Sequence, residues 1–259
     1  MIRAIINGDD FGISREVNEA ISECFDRRIL TGTTLMVNMR YSDDAVALAR
    51  KYGFSDAVGL HLNLTKGYPL THSIRSCKRF CKSNGAFNAV FAQKLTSRFI
   101  LGPRERKAVR EEIEAQLLKY IGYGFAERHI DSHHHVHTDS SIAAELFPLL
   151  HKYSFRSVRL SRNLYLKMGA LKHLYKNIYN RGLRRRGFIT TDYFGSYKDL
   201  AMMEGRIPEN ALVEVMLHPM YGENGEELMD TETPMSDVTM LLNSLKAERQ
   251  AYFSSGPLA

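Results

Sequence analysis

Segments typical of β-strands alternate with segments typical of amphipathic helices along most of this 259-residue chain. Apolar and β-branched runs predict strands at residues 2–7, 33–38, 57–64, 128–132, 156–160, 188–191 and 212–217. Apolar residues spaced three and four apart predict helices at residues 14–28, 41–52, 103–120, 140–153, 167–186 and 237–252. A series of about seven such βα units predicts an α/β fold with a parallel sheet, either open or closed as a barrel.

No linker divides this series, so we expect residues 1–259 to form a single domain. Residues 65–102 form a basic segment without clear pattern, and we interpret this long connection as an insertion that serves as a lid or a substrate wall. No apolar run approaches the roughly 18 residues that a membrane-spanning helix needs. The apolar stretch in the N-terminal MIRAIINGDD is too short for a secretory signal, so a cytoplasmic protein is expected.

The net charge of +6 is concentrated in one stretch, residues 167–186, which contains seven lysines and arginines and no acid. Apolar residues lie near helical spacing in the same stretch, which predicts a basic amphipathic helix. Such a helix can lie on an anionic membrane surface or bind acidic ligands. The ordinary alternative is a solvated helix on the outside of the fold. A nucleic-acid partner is not expected, because the chain has neither an aromatic RNA-binding motif nor zinc-finger spacing.

Residues 129–137 read HIDSHHHVH and contain five of the ten histidines. His or Asp stands at every odd position, while Ile130 and Val136 are apolar, which is the period of a strand with one polar face. Clustered imidazoles repel one another once protonated, but neutral imidazole and carboxylate are common metal ligands. The alternative is a His-rich tract on the surface. The alternation favours a metal site on an inner strand.

Three other polar clusters follow predicted strands, at the edge where α/β folds place their active sites. They contain the adjacent Asp9 and Asp10, then His61, and finally His218 before Pro219. The paired aspartates could instead form a turn with a helix N-cap, although Ser14 already suits that task. A lone His61 is more often a satisfied core residue. Together with the histidine cluster, these residues supply a carboxylate and two imidazoles, a three-ligand set typical of catalytic metal sites, and leave a base and an acid.

Five motifs, in this order and spacing, closely resemble those of the YdjC-like carbohydrate deacetylases, a family related to the NodB-type polysaccharide deacetylases. They are NGDDFG (7–12), TTLMVN (33–38), GLHLNLT (59–65), HIDSHHHVH (129–137) and MLHP (216–219). The resemblance extends from residue 2 to about residue 220. It implies a single TIM-barrel-like (β/α) barrel and an enzyme that removes the N-acetyl group from an N-acetylated amino sugar with one divalent metal ion. The family often has Ala where this chain has Gly8, a departure that leaves both aspartates in place.

Matched motif by motif, the resemblance implies Asp10, His61 and His133 as metal ligands. It implies Asp9 as the catalytic base and His218 as the acid. Other residues of these motifs and of the following strand are candidates for orienting the ligands, holding Asp9 or contacting the sugar: Asn63, His129, Asp131, His135, His137 and Arg159. The sequence does not assign their individual roles, nor that of His134.

Several points stay open at this stage. Two imidazoles favour a borderline ion such as Zn²⁺, whereas the family resemblance equally admits Mg²⁺. The amino sugar could be a free oligosaccharide or linked to a lipid, in which case residues 167–186 would contact the inner face of a membrane. A homodimer is open. The alternative functions are a metal-dependent phosphoesterase and a non-catalytic metal- or sugar-binding protein.

Overall fold

The computed structural model describes residues 1–93 and 98–252 and has an α/β architecture. Seven parallel strands form the continuous path of the main sheet: β1 Arg3–Phe11, β2 Gly32–Leu35, β3 Val58–Leu62, β4 His129–Ser132, β5 Ser157–Val158, β6 Tyr193–Ser196 and β7 Leu212–Leu217. The larger helices are α1 Arg15–Asp26, α2 Ser42–Lys51, α5 Pro103–Gly122, α6 Ser140–Lys152, α7 Ala170–Arg185, α8 Tyr197–Met202 and α9 Met235–Ser244, and the insertion contains α3 His72–Arg75 and α4 Val90–Gln93. The predicted alternation of strands and helices is therefore confirmed.

The sheet is curled but open, which corrects the expectation of a closed barrel. Its strands lie in the order β5-β4-β3-β2-β1-β7-β6, so that β5 and β6 are the two edges. One isolated parallel bridge, between Ser157 and Ile189, connects the chain across these edges. A continuous ladder does not form there because β5 is only two residues long and β6 begins four residues after Ile189.

The strand predicted at 188–191 is wrong, since the sixth strand begins at Tyr193. Phe188 instead packs on α6, where its ring stacks on His151 at 4.7 Å. The pattern of a short apolar run does not distinguish a strand from a buried loop. Packing against α6 therefore determines the conformation of this segment.

The helix predicted to run to residue 252 is correct only to Ser244. Lys246 follows it with φ +49°, in the left-handed region that ends helices. The chain then forms β11 Glu248–Arg249, which pairs in parallel with Arg3 and Ala4 of β1. This pairing carries the following Tyr252 into the interior of the sheet, where it is buried.

The predicted insertion packs against α5 rather than standing free. The Glu112 carboxylate accepts hydrogen bonds from the backbone N–H groups of Leu70 and Thr71, at 3.0 and 2.8 Å.

Residues 94–97 of this segment, and 253–259 at the end of the predicted domain, lie outside the described residues. The single-domain organisation stays a prediction. Within 1–93 and 98–252, no helix has the length and apolarity needed to cross a membrane.

A small antiparallel sheet follows β7. It consists of β8 Pro219–Tyr221, β9 Leu228–Asp230 and β10 Thr233–Pro234. Its pairing of Pro219 with Asp230 brings the Asp230 carboxylate beside His218, at the end of β7.

Candidate active site

A break in the alternation of β1 brings Asp9 and Asp10 into one connected network. In a regular strand these neighbours would point to opposite faces. The pairing of β1 with β2 shifts register between Gly8 and Phe11, and Asp10 has φ +68°. Aspartate is one of the few residue types that tolerate this left-handed conformation. The bulge therefore lets both carboxylates serve the same interior site.

The Asp10 carboxylate faces two imidazoles, as the sequence predicts for a metal site. Its Oδ1 lies 3.1 Å from His61 Nε2 and 2.7 Å from His133 Nδ1. The three donor atoms all lie within 4.8 Å of one another. One carboxylate and two imidazoles converging in this way fit a divalent cation, and the side chains of Asp10 and His133 are partly exposed.

The electrostatics of this group also suit a cation. Burial opposes ionisation of Asp10, but hydrogen bonds from His133 and His61 hold the pKa of Asp10 well below its usual range. Burial alone would lower the pKa of His61, yet the Asp131 charge and the hydrogen bond with Asp10 raise it to about 10. The pocket thus stabilises positive charge at the point where the three donors meet.

Asp131, one of the candidate orienting residues, lies directly behind His61. Its Oδ1 is 2.7 Å from His61 Nδ1, and its Oδ2 accepts a hydrogen bond from Thr34 Oγ1 at 3.0 Å. A carboxylate at Nδ1 keeps the proton on that nitrogen and leaves Nε2 free to bind a metal. Asp131 is therefore placed to orient His61 and to increase its basicity.

Arg159 holds three buried carboxylates at once. Its guanidinium makes two hydrogen bonds to Asp9, at 2.7 and 2.8 Å, and one of the same nitrogens lies 2.7 Å from Asp131. Its Nε donates to Glu214 Oε1 at 2.6 Å. Two further groups of potential metal donors, Asp9–His61–Asp131 and His129–Asp131–Glu214, overlap these carboxylates. The guanidinium already supplies a cation there, which disfavours a second metal ion.

Asp9 is fixed by these contacts. Asn7 Nδ2 donates to Asp9 Oδ1 at 2.7 Å, in addition to the two bonds from Arg159. Burial would raise the pKa of Asp9, but the Arg159 charge and its hydrogen bonds outweigh burial and hold the pKa well below the usual range. Asp9 is therefore ionised and oriented at neutral pH, but it is a weak base.

His218 lies at the rim of the site, where its side chain is partly exposed. Its backbone N–H donates to Asp230 Oδ1 at 2.8 Å, and its Nδ1 lies 4.0 Å from the same oxygen. The charge of His218 contributes to lowering the pKa of Asp9, which places the two side chains within electrostatic reach. His218 is therefore in contact with solvent at the rim of the site.

The alternation predicted through residues 129–137 ends at Ser132. His133–Thr138 form a 3₁₀ turn in which His134 and His135 have φ +54°. The odd residues therefore do not share one strand face, because the chain turns where the strand ends. This turn brings His133 to Asp10 and leaves His134 exposed.

The other candidate histidines differ in their contacts. His137 is buried, with Nδ1 2.5 Å from Ser132 Oγ and Nε2 3.1 Å from the Arg159 carbonyl oxygen, so both ring nitrogens are engaged within the protein. His135 packs edge-on against Phe194, and its Nδ1 has no partner among the described residues. Burial and the nearby Arg159 charge lower the pKa of His135 to about 3, so its imidazole is neutral.

Asn63 organises a loop rather than joining the carboxylate and imidazole cluster. Its amide donates to the Lys66 carbonyl at 2.7 Å and to Asn38 Oδ1 at 2.9 Å, and its Oδ1 accepts from Thr65 N at 3.0 Å. These contacts stabilise the turn that follows β3.

Two members of this network are not among the site residues that the sequence indicated. Glu214 accepts hydrogen bonds from Arg159 and, at 3.2 Å, from the Tyr252 hydroxyl. The Tyr252 ring stacks on His129 at 4.0 Å, and His129 Nδ1 lies 2.8 Å from Ser157 Oγ. Glu214 shares a strand face with His218 in the sequence, a signal that could have found it. Tyr252 has no local signal, because its place depends on the pairing of β11.

Comparison with known proteins agrees with this geometry. The profile of the YdjC-like protein family matches residues 3–254. A Clostridium beijerinckii protein named carbohydrate deacetylase is 32% identical over 230 residues, which cover 85% of this chain and 82% of that protein. Chitooligosaccharide deacetylase from Proteus mirabilis is 28% identical over 226 residues, with 85% and 82% covered.

A crystal structure of an Enterococcus faecalis protein assigned to cellobiose-phosphate cleavage has the same fold. It superposes with a TM-score of 0.73 at 21% sequence identity and covers 96% of this chain and 97% of that one. Because the family profile spans nearly the whole sequence, this chain belongs to the YdjC-like family.

Proposed function

We propose that this protein is a metal-dependent carbohydrate deacetylase that hydrolyses the N-acetyl group of an N-acetylated amino sugar. The observation that carries the proposal is the Asp10–His61–His133 donor set, with an ionised Asp9 held beside it by Arg159. The relatives named carbohydrate deacetylase and chitooligosaccharide deacetylase support the reaction class.

Asp10, His61 and His133 would hold one divalent ion, whose chemistry is to polarise the amide carbonyl and to make the attacking water more acidic. Asp9 would take the proton from that water as its oxygen attacks the acetyl carbon. Because Arg159 makes Asp9 a weak base, Asp9 alone could not deprotonate ordinary water efficiently, and the site needs an acidified water. This requirement couples the metal site to the base.

The carbon–nitrogen bond then breaks, acetate forms, and the sugar nitrogen leaves as an amine that needs a proton. His218 would supply this proton from the rim of the site. The neutral His135 would remain uncharged beside the substrate and could accept or donate one hydrogen bond through its free nitrogen. These roles require no second nucleophile.

We propose one bound ion, Mg²⁺ or Zn²⁺, and the donor set favours Zn²⁺ because imidazole is a softer ligand than carboxylate or water. The guanidinium of Arg159 already pairs with the other carboxylates, which argues against the two-metal site that many phosphoesterases use. We further propose a single-domain cytoplasmic enzyme that acts on a free or lipid-linked amino sugar, and a homodimer is one form it could take.

Acetate release from N,N′-diacetylchitobiose, measured with Mg²⁺ or Zn²⁺ added, tests the proposal directly. The His133→Ala variant should lose both activity and bound metal, because it removes one of three ligands. The matched control is His151→Ala, an exposed histidine of α6 that should keep both. Phosphate release from p-nitrophenyl phosphate, without acetate release from diacetylchitobiose, would favour a phosphoesterase. Stoichiometric metal in a His61→Ala/His133→Ala double variant would show that the ligands lie elsewhere.

A further inference from the structure

The outward face of α7 is apolar, although the helix is already docked through its other side. Leu171, Leu174 and Ile178 follow one another at spacings of three and four residues and are 85%, 56% and 61% exposed. Asn180 and Leu183 of the opposite side are buried. A solvated outer helix would present polar residues here. We refer to these three side chains as the outer stripe of α7.

Apolar surface continues from the outer stripe onto the chain that precedes α5. Phe99 and Ile100 are 46% and 72% exposed. The Phe99 ring meets Tyr175 of α7 edge-on, with ring centroids 5.6 Å apart, so the two segments are adjacent. Contiguous exposed apolar surface of this kind marks an interaction site, whereas single exposed apolar residues do not.

The cations around the outer stripe fall into two groups. Lys176 donates to the Arg162 carbonyl, Arg184 to the Thr191 carbonyl, and Arg186 to the Gly182 carbonyl, so these three have partners within the protein. The remaining cations of the stretch are exposed: Lys167, Lys172, Arg181 and Arg185. Since residues 167–191 contain no acid, this face combines apolar side chains with unbalanced positive charge.

The combination of apolar side chains and exposed cations distinguishes between two possible binding partners of this face. A second copy of the chain, docked through the same face, would bring like charges together without any acid to neutralise them. An anionic bilayer supplies negative headgroups for the cations and an apolar boundary for the leucines and the isoleucine. We propose that the outer stripe of α7, with its exposed cations, docks on the surface of an anionic membrane.

The same helix also packs directly on the turn that carries His133 of the metal site. Tyr179 donates its hydroxyl hydrogen to the His137 carbonyl at 3.0 Å, and Tyr175 donates to the Thr138 carbonyl at 2.6 Å. Docking through α7 therefore holds the site near the bilayer.

Vesicle sedimentation of the full-length protein tests the surface separately from the activity. The wild type should bind vesicles of equal parts phosphatidylglycerol and phosphatidylcholine, lose binding at high salt, and ignore pure phosphatidylcholine. The Leu171→Gln/Leu174→Gln/Ile178→Gln variant should partition onto anionic vesicles at least tenfold less. A second variant replaces the exposed cations with Gln and should show a similar loss: Lys167, Lys172, Arg181 and Arg185.

The matched control is Leu118→Gln/Met240→Gln, which removes two exposed apolar side chains from other helices and should bind as the wild type does. All variants should release acetate from soluble diacetylchitobiose at the wild-type rate, because none touches the metal site. Unchanged vesicle binding in the outer-stripe variant, or no binding by the wild type, overturns the proposal. A concentration-dependent dimer that the same variant abolishes would instead make this face an interface between copies. Vesicle binding without acetate release would overturn the proposed function but not the surface.

Discussion

Replacing Arg159 with methionine tests whether one guanidinium stabilises the buried carboxylates beneath the site. Methionine replaces the aliphatic part of the arginine side chain but provides neither charge nor hydrogen-bond donors. The change leaves Asp9, Asp131 and Glu214 buried without their common cation. Breaking a buried ion pair by removing one partner costs about 3–5 kcal/mol. Three carboxylates lose the same partner here, so we expect a loss of folding free energy of about that size at pH 7.

The loss of folding free energy caused by Arg159→Met should depend on pH, in a direction that follows from the pKa of Asp9. In the wild type, Arg159 holds the pKa of Asp9 below its usual range, so this stability is present above about pH 4 and lost as the pH falls through the lowered value. In the variant, burial without the cation raises the pKa of Asp9 above its usual range. The native variant then binds protons as the pH falls, and the difference between the two proteins should narrow from pH 8 towards pH 5.

Urea unfolding at pH 5, 6, 7 and 8, with a chelator present, measures this difference. The matched control is Arg106→Met. Arg106 is half-exposed and pairs with Glu145 at 2.6 Å, but Glu145 keeps a second partner in Arg110, at 2.7 Å. The control should lose only about 0–1 kcal/mol at every pH. A cost for Arg159→Met that equals the control, or one that grows as the pH falls, would refute the electrostatic reasoning. If Arg159→Met does not fold, Arg159→Lys should still fold because it retains the charge, and a Lys variant that also fails to fold would contradict the electrostatic reasoning.

Three further predictions follow from the same network. Asp9→Asn should keep the metal, and its kcat should fall by roughly 10²–10⁴-fold. If Asp9→Asn loses the metal and Asp10→Asn does not, Asp9 is the ligand and Asp10 is the base. Tyr252→Phe removes a hydroxyl that is hydrogen-bonded to Glu214, so kcat should fall severalfold with KM unchanged. Tyr120→Phe is the control: it removes a buried hydroxyl that is bonded only to backbone carbonyls, so it should lower Tm without changing kcat. Burial raises the pKa of Glu214 to about 7, so ionisation of Glu214 destabilises the fold as the pH rises from about 4.5 to 7. The free energy of unfolding of Glu214→Gln should therefore depend less on pH in that range. An unchanged pH dependence would contradict this prediction.

The sequence by itself indicated most of the order of the elements and most of the side chains that the structure brings together. Period and composition located most of the βα units, because apolar alternation and helical spacing are local properties. The motifs that resemble the YdjC-like family placed Asp10, His61 and His133 in one ligand set, and the structure brings their donor atoms together. Arg159 was a candidate for holding Asp9, and it forms two hydrogen bonds to that carboxylate.

Tertiary structure decided what depends on contacts between distant segments. Whether the sheet closes into a barrel depends on how many residue pairs form between its two edges. The single bridge between Ser157 and Ile189 leaves the sheet open. The left-handed Asp10 and the turn after Ser132 aim neighbouring side chains in directions that strand alternation cannot predict. Tyr252 reaches Glu214 only because β11 pairs with β1 from nearly the opposite end of the chain. Local patterns encode period and residue type, but such long-range partners are chosen by packing and by the pairing of buried polar groups.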